Sequence, residues 1–239
     1  MFNNIPPITR NLILINIIVF IVAMIMPQLD VILAGYYPFS PEFKSWQIIT
    51  HMFMHGSFTH ILFNMFTLYS FGPILEQSLG DKKYLILYFL SGLGAFFLFN
   101  LWNFVQVQNI TNNLVESGYD LNNLRDVVLN LPSVKVTPEQ HSWIQNLINI
   151  YYTKMVGASG AIFGVIAAFA TLYPEARIGI MFIPVPVKVK ILLPIIIVGS
   201  IVLGVTGNVG GIAHLAHVGG AIVGYILAKI WKKHLYRFN

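Results

Sequence analysis

The sequence contains no cysteine. That absence excludes disulfides, thiol nucleophiles and thiolate metal sites, and leaves the redox compartment open. Charge is also scarce: Asp, Glu, Lys and Arg together make up 10% of the 239 residues, and only nine of these are acidic. By contrast, 56% of the residues are hydrophobic and the mean hydropathy is +0.71, more apolar surface than a soluble core of this size can hide. The composition therefore reads as an integral membrane protein. The formal charge of +5 is not a nucleic-acid signal, because the basic residues cluster beside hydrophobic runs, where they orient a chain in a bilayer.

Six apolar runs are expected to cross the membrane as helices. The first covers Asn11 to about Met26 and has no small-residue cleavage site after it, so it reads as a retained span rather than a signal peptide. A loop follows from Pro27 to Thr50, broken by Pro27, Gly35, Pro38 and Pro41. Further spans are expected over about Phe58–Leu79, Tyr84–Phe104, Gly157–Tyr173, Val189–Val205 and Ile212–Trp231. Between the third and fourth, Val105 to Lys154 is too polar to span and reads as an insert. Leu121, Leu124, Val128 and Leu131 recur there at helical spacing. Thr137-Pro138-Glu139-Gln140 then has the pattern of a capping box, followed by an apolar stripe of Trp143, Leu147, Ile150 and Tyr151.

An even number of spans puts both termini on one side. Arg10, Lys82, Lys83, Arg177, Lys188, Lys190, Lys229, Lys232, Lys233 and Arg237 fall in one set of loops and tails, against Lys44, Arg125, Lys135 and Lys154 in the other. The positive-inside rule makes the first set, with both termini, cytoplasmic. The second, fourth and sixth spans then all start at the outer face. At those starts lie His60 and Asn64, one turn apart on the second span; Ser159 within Gly157-Ala158-Ser159-Gly160 on the fourth; and His214 and His217 on the sixth. Ionisable groups at one level inside a bilayer are costly, and their convergence marks a functional site. Ser159 is the candidate nucleophile and His217 its base, set in a low-bulk stretch, Ala216-His217-Val218-Gly219-Gly220, that permits close helix approach. No carboxylate lies at this level, since Glu76 falls at the inner end of the second span, so a dyad without an acidic member is expected. Asn64, His60 and the Ser159 N–H are candidate oxyanion donors.

On these residues the chain resembles the rhomboid family of intramembrane serine proteases. The matching features are His55-x4-His60-x3-Asn64, Gly157-Ala158-Ser159-Gly160 and His217-Val218-Gly219-Gly220, with Trp46 and the stretch Glu76 to Gly80 as further likeness. The resemblance implies an all-α polytopic fold, a six-helix transmembrane bundle of rhomboid type with a polar, partly helical insert between helices 3 and 4, forming one domain over 1–239. It implies that Ser159, His217, His60 and Asn64 carry the nucleophile, base and oxyanion roles, and that no cofactor or metal takes part. The implied partners are membrane lipid and single-span transmembrane substrates, which unwind near small residues and enter beside the fifth span, under a mobile cap formed by Thr206 to Gly211. The expected location is a bacterial plasma membrane. Two departures stand out: the family's common Trp-Arg pair reads Trp46-Gln47, which bears on how the first loop is anchored, and an aromatic position often held by tyrosine is Phe163, placed to pack on His217.

Other readings fit less well. His51 and His55 stand four apart, but the intervening Met-Phe-Met lacks the glutamate of a zinc-protease helix, and His55 reads instead as a loop-holding hydrogen bonder. An α/β-hydrolase would need a fuller glycine-flanked serine motif and a preceding strand. The alternative that remains is a catalytically silent relative that binds transmembrane clients; such a chain is expected to lack the serine or the histidine.

Overall fold

The computed structural model describes residues 5–120, 136–180, 183–191, 194, 195, 198 and 211–235. Helix α1 (Pro7–Ile25) is followed by two short helices, α2 (Gln28–Leu33) and α3 (Gln47–Thr50), in the first loop. The long helices α4 (Phe58–Leu79) and α5 (Asp81–Glu116) are joined by Gly80. Then come α6 (Pro138–Tyr152), α7 (Ser159–Leu172), an antiparallel hairpin of β1 (Arg177–Ile180) and β2 (Ile183–Lys188), and α8 (Gly211–Leu235). The expected fifth span, the cap from Thr206 and the first insert helix around residues 121–131 lie largely outside the described residues.

Among the described helices, α1 and α5 are each long and apolar enough to cross a bilayer on composition alone. Their outward faces carry large exposed apolar side chains, such as Ile18 and Met24 on α1 and Phe97 on α5. Such a surface is stable only in contact with lipid or another apolar partner.

At the centre α7 packs against α8, α5 and α4. It is 14 residues long, a rise of about 21 Å against a hydrocarbon thickness of ~30 Å. The close approach depends on missing side chains. A Cβ added to Gly220 on α8 would lie 1.9 Å from the Gly160 carbonyl oxygen, and one added to Gly164 on α7 would lie 2.0 Å from Ser91 Oγ on α5. The first contact brings backbone against backbone and the second seats a small side chain against it, which bulkier residues would prevent.

Helix α1 is attached differently. Its amino terminus has no capping side chain of its own, and the orphan donors there are satisfied from α4. Glu76 is buried, and its carboxylate accepts from the Ile8 N–H (2.8 Å), the Thr9 N–H (2.7 Å) and the Thr9 hydroxyl (2.7 Å). A negative group at a helix start is favoured by the helix dipole as well as by these bonds.

The structure moves one expected boundary. Helix α5 does not stop near Phe104 but runs on for three more turns, because Val105–Glu116 contains no breaker and its amides are tolerated in a helix. It ends where Gly118 takes φ +81, with the Gly118 N–H bonded to the Val115 carbonyl and the Tyr119 N–H to that of Leu114, a Schellman motif. Helix α6 starts at the anticipated capping box: Thr137 Oγ1 accepts from the Gln140 N–H at 3.2 Å, while Gln140 Oε1 accepts from the Thr137 N–H at 2.9 Å. Ile144, Leu147 and Ile150 of α6 pack with Val107 and Leu114 of α5 and with Tyr37 of the first loop, with Trp143 and Tyr151 at the edge. The polar segment thus carries a small core of its own.

Candidate active site

Three helix starts meet at the site. Ser159 is the first residue of α7, so its amide is among those with no partner inside the helix. It is delivered by Gly157, whose φ of +119 suits glycine alone, and by the buried Ala158. His217 lies two turns into α8, and its Nε2 is 2.9 Å from Ser159 Oγ across 58 positions of sequence. The ring of Phe163, one turn along α7 from the serine, lies parallel to the His217 imidazole with centroids 4.2 Å apart. That stacking fixes the imidazole plane without a hydroxyl. His214 meets the other side of His217 edge-on at 5.9 Å.

The α4 residues approach from the opposite wall. Ser57 caps α4 by accepting from the His60 N–H at 3.1 Å, which holds the start of that helix. The His60 ring lies against Gly157, where an added Cβ would be 2.7 Å from His60 Nε2 and 3.6 Å from Ser159 Oγ. Gly157 is therefore required on two counts, its backbone angle and the space the His60 ring occupies. Asn64, one turn further on the same helix, is buried with its Nδ2 unpartnered. A buried amide with free donors is expensive unless an acceptor arrives to use them.

The first loop and the turn after it support this arrangement. The His51 carbonyl accepts from the Gly157 N–H at 2.9 Å, while the His51 Nδ1–H donates to the Gln47 carbonyl at 2.8 Å. Gln47 is fully buried. Its Oε1 accepts from the Lys44 N–H, and its Nε2 donates to the carbonyls of Val31 and Glu42, so glutamine ties both ends of the loop together at this position. His55 stands ring to ring with His60 at 5.1 Å, and its Nδ1–H donates to the Phe53 carbonyl at 3.3 Å. Trp46 donates from Nε1 to the Ile32 carbonyl at 2.9 Å. Among the described residues no group of three or more His, Asp or Glu is placed to hold a metal ion.

A serine and a histidine within hydrogen-bond reach, set at the head of a short helix inside an apolar helical framework, define a class of helical membrane proteins with a polar centre. Comparison with known proteins agrees: the rhomboid domain matches residues 42–108 and 136–234, and the chain belongs to the rhomboid family. The unmatched stretch between those segments begins within the carboxyl-terminal part of α5 and ends just before α6. Rhomboid protease AarA from Providencia stuartii is 27% identical over 232 residues, covering 92% of this chain and 71% of the relative. Membership makes this chain a membrane protein, in keeping with its apolar helices.

Proposed function

We propose that the chain is an intramembrane serine endopeptidase that cuts single-span transmembrane substrates near the outer membrane–water boundary. The observation that carries the reading is the 2.9 Å separation of Ser159 Oγ and His217 Nε2. In that geometry the serine hydroxyl donates to the unprotonated Nε2 and the oxygen attacks the scissile carbonyl as the imidazole takes its proton. The imidazolium then returns the proton to the leaving amine, and water repeats the cycle on the acyl-enzyme. The Ser159 N–H, the unpartnered Asn64 Nδ2 and the His60 ring supply donors for the oxyanion. Membership of the rhomboid family and likeness to a relative named as a rhomboid protease support the same chemistry.

The same reading takes residues 1–239 as one domain. In it α1, α4, α5, α7 and α8, with a further span over about 189–205, make six crossings. Residues 105–154 form an extracytoplasmic insert, and both termini are cytoplasmic in a bacterial plasma membrane.

The test is cleavage of a generic transmembrane substrate in liposomes by the wild type, Ser159→Ala and His217→Ala. Each variant is expected to lose at least about a thousandfold in rate, and a strong chelator is expected to leave the wild-type rate unchanged. Equal behaviour of all three proteins would overturn the reading in favour of a client-binding relative.

A further inference from the structure

The segment that presents Ser159 runs from the end of α6 at Tyr152 to the start of α7, and the first loop grips it at several points. Gly35 and Met155 form an antiparallel bridge, exchanging N–H to O bonds of 2.9 and 2.7 Å. The bond from the Gly157 N–H to His51 is a second grip. The third is ionic: Lys154 Nζ is paired with Asp30 at the end of the bridge nearest solvent, with side chains 37% and 44% exposed. Asp30 is the leading cause that raises the Lys154 pKa above its ordinary value. Tyr36, the neighbour of Gly35, is buried beside the pair, and that burial raises its phenol pKa, so the proton is retained.

We propose that Asp30 and Lys154 are positioning residues for Ser159, their ion pair closing the solvent end of the Gly35–Met155 bridge and so fixing where α7 begins relative to His217. The proposal rests on the reading of Ser159 as nucleophile. An ion pair at this exposure contributes little to global stability. Its effect is instead felt in geometry, because a displacement of about 1 Å between reacting groups costs on the order of a hundredfold in rate. The clamp also gives the insert a mechanical route to the site, since α6 ends two residues before Lys154.

The test compares wild type, Asp30→Asn, Lys154→Met and the exchanged pair Asp30→Lys with Lys154→Asp in liposomes, measuring kcat, KM and Tm for a transmembrane substrate. Each single variant is expected to lose about tenfold in kcat, with KM and Tm unchanged, and the exchanged pair is expected to recover most of the loss. Wild-type kcat in the single variants, or an exchanged pair no better than the two losses combined, would overturn the proposal. An independent readout uses the absence of native cysteine: Ala34→Cys and Val156→Cys flank the bridge in its register and are expected to form a disulfide on mild oxidation. Adding Asp30→Asn should slow that bond at least threefold, and equal rates would overturn the clamp. Disulfide formation in the double-cysteine variant that Asp30→Asn slows as expected, together with a wild type that does not cleave, would overturn the protease reading alone.

Discussion

The seam between α5, α7 and α8 and the attachment of α1 hold helices together by opposite means. In the seam side chains are removed until backbones touch, as at Gly220 against Gly160 and Gly224 against Gly164. At α1 one side chain, Glu76, reaches across and replaces several missing hydrogen bonds. A backbone contact has no rotamers with which to yield, whereas a carboxylate reached through three rotatable bonds can follow its partners. The serine and histidine lie on the two helices of the rigid seam, where an error in separation is most costly.

This contrast can be broken from either side. The largest effect is expected at Gly220: alanine there meets the Gly160 carbonyl and should destabilise by about 3 kcal/mol or more, with valine failing to yield folded protein, both read by thermal unfolding in detergent. Glu76→Ala leaves the α1 donors unpaired and is expected to cost about 1–3 kcal/mol, with the rate of any residual folded protein unchanged. If Glu76→Ala proved the more damaging of the two, the distinction between rigid and compliant attachment would fail. Thr137→Ala removes half of the α6 capping box and should cost about 1 kcal/mol, seen as faster hydrogen exchange at the start of α6 and little change elsewhere.

The smallest effect concerns the hairpin after α7. Glu175 is paired with Lys188 and Lys190, whose hydrogen bonds lower its carboxyl pKa to about 2. Because the folded value lies below the ordinary carboxylate range, the contribution of these pairs is present above that range and is lost as pH falls through about 2. Carbon-13 titration of Glu175 should show the low midpoint, rising toward the ordinary value in Lys188→Met with Lys190→Met and in high salt.

Much of the helical framework is legible as apolar runs: α4 occupies Phe58–Leu79, the range expected from the sequence, and α7 and α8 fall within a few residues of theirs. The extension of α5 was not, because hydropathy reports where a membrane ends and not where a helix ends; the stop signal is Gly118. The hairpin was not legible either: β2 carries Pro184 and Pro186, which a two-stranded sheet tolerates because the proline nitrogens, lacking a donor, can face away from the ladder. At the site, residue types and helix starts could be read locally, and Gln47 drew notice as a loop anchor, but the support from His51, Asp30 and Lys154 could not be read. Those contacts depend on how the first loop folds over the segment before α7, which no periodicity encodes.

The unpaired amide hydrogens at the head of α7 have one more consequence. In a coiled guest segment each carbonyl already spends a lone pair on the N–H four residues ahead. The donors around Ser159 compete for that same oxygen, so on the proteolytic reading susceptibility follows how readily a guest frays at the scissile bond. Replacing alanine by glycine there weakens the guest's coil by up to about 1 kcal/mol and should quicken its cleavage even where no enzyme side chain touches the altered position.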